Sequence, residues 1–389
     1  MIGQGAARIT GVRFADALDE GLAVAGLSPS SHNCQPWAVA WLPGVRARRA
    51  AAKTIAPDGP DAAAGREYVL LALDRDRRLG ALPAHADEML ISCGVYWRVL
   101  RRALAAQGWR VSGQSALRPG APLRGLDLPA AWEPLCVAEF QPGGAPDESV
   151  RELRDLARRR RTNRAPYTSE NVDPKTLDAL ARPPGAPGAD GTPVLIRHLT
   201  SHLDLERFAG FVARNGGRDF AHRDAWRETH SFIRWSDAEA SARGDGFTFA
   251  HLFGPLPAAQ WWLRRAALAP ATMGVLRLAG YPRFLAGQLA RVVRTSPAIA
   301  LMTLAVKEPA PPDLLCAGGA LADYWLGATR EGLALHPISI VLQHEDLRGE
   351  LRARFGLTGR PFFVARLGHP AAAFPSSPRR PRTEVLRVL

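Results

Sequence analysis

A six-residue break, Gln141-Pro142-Gly143-Gly144-Ala145-Pro146, constrains this chain more than any other segment. Proline fixes φ and removes a backbone donor, and paired glycines favour turns, so neither helix nor strand runs through it. On both sides the elements come in one order: helix, loop, strand, helix, strand. In the first half, Val12, Phe14, Leu18, Leu22 and Ala25 fall at helical spacing, and Gly26 is a fitting stop. A polar loop over 28–36 follows, then strands over 37–42 and 68–73. A long helix over 88–106 is apolar at Leu90, Ile91, Val95, Val99, Leu100 and Leu104, and a strand over 135–140 closes the half. In the second half, Asp147 or Ser149 caps a helix from 150 to about 160. A strand over 194–197 and helices around 203–215 come next. A helix over 320–330 stops at Gly332, an apolar strand covers 362–367, and the tail 383–389 reads as an edge strand. Helices mixed with strands outside regular βαβ units predict an α+β fold, divided into residues 1–145 and 146–389.

The length of 389 residues suits two domains or one duplicated unit, and 47% hydrophobic residues suffice for a sizeable core. The region 247–306 is rich in Leu, Ala, Trp and Phe, but arginines and five prolines interrupt it. No uncharged run reaches the length a membrane-spanning helix needs. A lid over a pocket is the expectation for an insertion over about 216–300, with an amphipathic surface helix left open. The net charge of +13 comes from arginine. It fits an anionic partner or merely solvated basic faces. Poor aromatic interleaving of the basic runs argues against nucleic acid. Cys34, Cys93, Cys136 and Cys316 form no metal-ligand spacing and read as reduced thiols of a cytoplasmic protein. The start, with Arg8 and Arg13 and no apolar core segment, does not resemble a signal peptide. His198 and His202 are four apart, but no third ligand is obvious and the segment follows a strand, so they read as a surface pair and no metal is expected. His222, His230 and His251 read as structural by default, with roles as substrate acid or anion contact left open.

Two segments carry chemistry. Ser28-Pro29-Ser30-Ser31-His32-Asn33-Cys34-Gln35-Pro36-Trp37 gathers hydroxyls and amides that donate and accept at fixed geometry. Such a loop suits the alternating donors and acceptors of a flavin edge. It also suits a simple Asx/Ser turn between helix and strand, which residue types alone favour. Arg159-Arg160-Arg161-Thr162-Asn163-Arg164-Ala165-Pro166-Tyr167 offers guanidinium forks and a hydroxyl, which is phosphate chemistry, or else a basic helix end.

The first segment closely resembles the signature of the FMN-dependent nitroreductase family, and the second resembles that family's Arg-Arg-Ser-x-Arg motif. The helix 320–330 with Gly332, Leu333, Leu335, Pro337 and Ile338 resembles its Ala-x-Gly-Leu-x-x-x-Pro loop. Gly368 and Pro378-Arg379-Arg380-Pro381 resemble its closing element. The resemblance implies that Pro29, Ser30, Ser31, Asn33 and Gln35 lie against FMN, and that Arg160, Arg161 and Thr162 hold its phosphate. It also implies that Arg164 tunes the ring, that Leu335, Pro337 and Ile338 pass beside it, and that Arg379 and Arg380 complete the phosphate site. No catalytic side chain is assigned, since flavin N5 carries the chemistry. Each motif occurs once. Where the second half should repeat the flavin loop, residues 181–190 do not match. The chain therefore resembles the Acg-type subfamily, a fused pseudo-dimer with one flavin site. Leu73-Asp74-Arg75-Asp76-Arg77-Arg78-Leu79, Leu90-Ile91-Ser92-Cys93-Gly94, Gln107-Gly108-Trp109, Arg234-Trp235-Ser236 and Asp245-Gly246 support this. Ala84-His85-Ala86-Asp87 departs from the subfamily and puts the start of the following helix in doubt. The implied function is ping-pong hydride transfer between NAD(P)H and a small organic acceptor, in a monomer or homodimer. A flavin-dependent dehydrogenase or oxidase of specialised-metabolite or peptide biosynthesis, and an FMN-sequestering protein with little turnover, stay open beside it.

Overall fold

The computed structural model describes residues 12–58, 65–118, 123, 126–182 and 193–389. The chain start and most of the 181–190 segment lie outside them. In the first half come α1 (Phe14–Ala25), β1 (Trp37–Trp41), α2 (Val45–Ile55), β2 (Glu67–Asp74), α3 (Ala84–Ala105), β3 (Trp109–Ala116) and β4 (Trp132–Pro142). Next are α4 (Val150–Arg159), α5 (Pro174–Ala181) and β5 (Val194–Leu199). Eight helices follow: α6 (His202–Asn215), α7 (Gly217–Ala221), α8 (Arg223–Ser231), α9 (Asp237–Arg243), α10 (Phe249–Phe253), α11 (Ala258–Leu268), α12 (Pro270–Leu276) and α13 (Tyr281–Arg294). Last come β6 (Ala298–Leu304), α14 (Pro311–Arg330), β7 (Ala334–Pro337), α15 (Glu345–Arg354), β8 (Arg360–Gly368) and β9 (Leu386–Val388).

The two halves repeat one topology. One sheet runs β3-β4-β2-β1-β9 and the other β5-β6-β8-β7. Matching β1 with β5, β2 with β6, β3 with β7 and β4 with β8 makes the orders identical apart from β9. Pairing is antiparallel within both sets of four, with Trp37 opposite Leu73 and Ala298 opposite Leu367. The eight-helix insertion occupies the place that α2 holds in the first half. The fold is the α+β, two-half arrangement expected.

The halves join through α3 and α14. A methyl group on Gly94 would lie 2.2 Å from the Leu315 carbonyl oxygen, and one on Gly318 would lie 2.1 Å from that of Ile91. Only hydrogen fits where the two backbones approach so closely. The two glycines occupy corresponding places: the spacing from Gly94 to Gly108 equals that from Gly318 to Gly332, and Gly108 and Gly332 both take positive φ. A continuous core runs across this junction, from Leu100 and Tyr96 to Tyr324 and Trp325.

Several boundaries differ from the sequence expectation. Helix α3 begins at Ala84, ahead of the expected residue 88. Helix α14 begins at Pro311, nine residues ahead of the expected start, because prolines in a first turn surrender only donors that lack helical partners. The prolines of the insertion likewise start helices: Pro257 precedes α11, Pro270 opens α12 and Pro282 lies in the first turn of α13. Strand β6 is buried at every position, so it shows no alternation to distinguish it from its apolar surroundings. Ser149, not Asp147, caps α4, in a reciprocal capping box with Glu152.

Candidate active site

The loop between α1 and β1 is held in an uncommon conformation. His32, Asn33 and Gln35 have φ of 51°, 52° and 52°, and they are the non-glycine residues with positive φ among those described. Such backbone persists where surrounding bonds over-determine it. Asn33 Nδ2 donates to the carbonyls of Gly246 (3.0 Å) and Pro378 (2.9 Å), and its Oδ1 accepts from Arg379 (2.9 Å). Gln35 Nε2 donates to the Gly244 carbonyl at 2.7 Å, and its Oε1 accepts from the Arg380 amide at 3.1 Å. Ser30 Oγ accepts from the Gln35 amide at 2.9 Å, and Ser31 donates to Glu88. One short loop is thereby tied to the insertion, the C-terminal tail and α3.

A cavity of about 530 Å³ opens beside this loop. Pro29, Ser30 and Asn33 from the first half, Arg160, Arg161, Thr162 and Arg164 after α4, and Arg379 from the tail all line it. Arg158 also reaches it, and no aspartate or glutamate does. Arg160 is only 6% exposed, its Nε has no partner, and its guanidinium lies 4.8 Å from the centroid of the Trp325 ring. Burial, and then the charges of Arg379 and Arg161, push its pKa well below the usual guanidinium range. Burial alone lowers Arg164 to about 10, and burial followed by the charge of Arg161 lowers Arg379 to about 10. Buried cations without counter-charge are costly, so this cluster fits a multiply charged anion. The volume is within the range of cofactor pockets.

Arg161, Arg164 and Arg379 are aimed by backbone carbonyls, Arg161 by that of Arg160 at 2.8 Å. Arg164 donates to the His251 carbonyl at 2.8 Å, and Arg379 donates to the carbonyls of Ser28 (2.9 Å) and Leu27 (3.0 Å). Behind them lies Arg366, fully buried, which donates to Ser296 Oγ at 2.7 Å and to the Ala165 carbonyl at 3.0 Å. It stacks 4.3 Å above the Tyr167 ring and so fixes the backbone that carries Arg164.

The other expected residues sit around the cavity rather than in its wall. Ser31 and Gln35 are spent on the loop's own bonds. Arg380 turns away toward Asp74 (3.6 Å) and Glu384 (3.5 Å). Leu335 and Ile338 are buried core residues, and Pro337 ends β7. This segment forms a strand: Thr162 makes a parallel bridge to Leu335, and the Asn163 amide donates to the Leu335 carbonyl at 2.9 Å. Its contribution is to register the Arg-Thr-Asn-Arg segment.

The insertion adds Thr229, Phe247 and Leu252, which carry no sequence motif, and His251, for which the sequence leaves a contact role open. Thr229, Phe247, His251 and Leu252 line the cavity, as do Phe374, Pro375, Ser376 and Ser377 of the tail. His251 Nδ1 accepts from the Thr248 amide at 3.1 Å, and Nε2 donates to the Ser376 carbonyl at 3.1 Å. Burial, ahead of other causes, lowers its pKa. The spacing of Thr248 and His251 at a helix start was the available signal. Asp245 bridges Arg77 (2.8 Å) and Arg234 (2.5 Å), so two segments singled out separately form one strap from β2 to the insertion. His198, expected as half of a surface pair, bonds to Tyr324 Oη at 2.9 Å.

No family model matches the chain. Among curated proteins it is similar to PigM, assigned as an NAD(P)H nitroreductase, of Serratia sp. (strain ATCC 39006). The two are 30% identical over 378 residues, covering 96% of this chain and 94% of that protein. It is 25% identical over 394 residues to the NAD(P)H nitroreductase acg of Mycobacterium tuberculosis, covering 96% of each. Similar solved structures include the FMN-dependent nitroreductase NfnB of Mycobacterium smegmatis (TM-score 0.36, 14% identity, 60% of this chain and 95% of that chain). A BluB-like flavoprotein of Clostridium difficile is another (TM-score 0.37, 13% identity, 61% and 98%). With 30% identity sustained over nearly the full length of both chains, this protein belongs to the NAD(P)H nitroreductase family.

Proposed function

We propose that the cavity between the two halves binds FMN and that the chain is an oxidoreductase exchanging hydride between NAD(P)H and a small organic acceptor in ping-pong fashion. The observation that carries this reading is the set of arginines around one cavity with no carboxylate among its lining residues. A dianionic phosphate supplies the missing counter-charge. When bound, FMN supplies hydride acceptance and donation at N5.

The chain's residues hold and orient. Arg160, Arg161, Arg379 and Thr162 bind phosphate, and Arg164 presents a fixed cation further along the cavity. Pro29, Ser30 and Asn33 form the facing wall. Ser31, Gln35 and Arg380 lock that wall, while Leu335, Pro337 and Ile338 back the phosphate motif. The residues of the insertion and the tail cover the cavity and limit water. We place the division between halves at residues 145 and 146. Because both walls come from one chain, a monomer suffices for the site. The described cysteines are unpaired, which accords with a reducing cytoplasm.

Purified protein is expected to be yellow, to bind FMN far better than riboflavin, and to lose its flavin absorbance under anaerobic NADPH. Protein that binds no FMN overturns the reading. The covered cavity favours a second reading, an FMN-sequestering protein. Flavin that is held but not reduced by NADH or NADPH would select it.

A further inference from the structure

From Gly246 to Val306 the sequence contains none of the chain's 37 acidic residues, while it holds Arg264, Arg265, Arg277, Arg283, Arg291 and Arg294. All but Arg294, which pairs with Glu206, have no carboxylate partner among the described residues. The helices α11, α12 and α13 turn one side inward, against a small core of Ile233, Phe247, Phe249, Leu268 and Met273. Their outer sides are apolar as well. Trp262 is 62% exposed, Leu263 70%, Val275 68%, Leu278 86% and Phe284 55%. These five are half of the large apolar residues the described chain exposes. They follow helical spacing: Ala259, Trp262, Leu263 and Ala266 on α11, then Ala271, Val275 and Leu278 along and just beyond α12. Apolar exposure on this scale marks an interaction site.

Arginine without acid, interleaved with exposed Trp, Leu and Phe, is the composition of an interfacial helix on an anionic bilayer. Tryptophan favours the headgroup level, and arginine stems lie along apolar surface while their heads reach phosphate. We propose that the outer side of α11–α13 docks on an anionic phospholipid surface. Trp262, Leu263, Leu278 and Phe284 enter the headgroup–acyl boundary, and Arg277 and Arg283 meet lipid phosphate. Phe247 and Leu252 belong to or pack on the core under these helices and also line the cavity, so the docked face backs onto the cavity's cover.

Co-sedimentation of the full chain with vesicles tests this, independently of flavin chemistry. Binding is expected to phosphatidylcholine vesicles containing phosphatidylglycerol, with loss at high salt and none to phosphatidylcholine alone. The double variant Leu263→Ser/Leu278→Ser is expected to bind at least tenfold more weakly, and Arg277→Gln/Arg283→Gln about fivefold more weakly per charge. Thermal unfolding of the leucine variant should match the parent, since both leucines are exposed; Arg277 is half-buried and donates to the Ala221 carbonyl at 3.3 Å, so the arginine variant is read beside Arg283→Gln alone, whose side chain is exposed. Absence of binding to anionic vesicles, or equal binding by both variants, overturns the proposal. So does a parent dimer in sedimentation velocity that Leu263→Ser/Leu278→Ser converts to monomer without any vesicle binding; the face would then be a contact between copies.

Discussion

Replacing Arg160 by methionine separates the demands of the empty protein from those of its ligand. In the empty protein the guanidinium is 6% exposed, lacks a carboxylate and sits among Arg161 and Arg379. Methionine fills similar volume without that charge. Exchanges of buried charge for apolar volume are neutral to stabilising, by about 1–4 kcal/mol. The lost contact with the Trp325 ring offsets about 0.5–2 kcal/mol of this. The ligand-free variant should therefore unfold at the parent's temperature or above it. Phosphate binding moves the other way. A hydrogen bond to a charged group contributes about 1.5–3 kcal/mol, so FMN should bind about 10- to 150-fold more weakly. Riboflavin, which lacks phosphate, should bind the two proteins alike. Titration by flavin fluorescence quenching gives the four affinities, and differential scanning calorimetry of the flavin-free proteins gives the stabilities. A variant that is less stable when empty, yet keeps its preference for FMN over riboflavin, would refute the assignment of Arg160 to phosphate and make it a packing residue.

Asn33→Ala removes two donors to buried carbonyls and the acceptor for Arg379; a stability loss of about 3 kcal/mol and faster proteolysis within the insertion are expected in denaturation and limited-digestion assays. Gly94→Ala places a methyl against the Leu315 backbone; overpacking of about 3 kcal/mol should appear as a lower urea midpoint. Asp219 is half-buried, with its Oδ1 buried and without a partner, and desolvation, then the charge of Glu88, raises its pKa to about 7. The folded state thus keeps a proton that the unfolded chain releases above about 4, so this residue's contribution falls as pH rises from about 4 to 7. Asp219→Asn should raise the melting temperature at pH 8 and leave it unchanged at pH 3.

The sequence is most legible where the residues that meet in space are also contiguous along the chain. The Ser-Asn-Gln-Pro-Trp loop and the Arg-Thr-Asn-Arg run are contiguous, and every cavity-lining arginine lies in the run, immediately before it or in the Pro-Arg-Arg-Pro tail. Residue type alone does not tell lining residues from supporting ones. Gln35 and Asn33 look alike in sequence, yet Asn33 borders the cavity while Gln35 is consumed by Gly244 and Arg380. Arg379 and Arg380 are neighbours that face opposite ways, because only the second has Asp74 and Glu384 within reach. Arg366 escaped notice because an isolated arginine in a strand carries no pattern. Strand β6 escaped because burial on both faces erases the alternation by which strands are recognised.

The short strand β9 has a consequence for the order in which this protein is made. It pairs in parallel with β1, setting Val39 beside Leu386, although the whole second half separates them in sequence. On the ribosome the first sheet must therefore wait with β1 as an open edge, a hazard for wrong pairing. Its loop between α1 and β1 meanwhile lacks the carbonyls of Gly244, Gly246 and Pro378 that hold Asn33 and Gln35. The cavity is thus a late product of folding, and a nascent chain arrested before the tail should be unable to capture the FMN proposed for it.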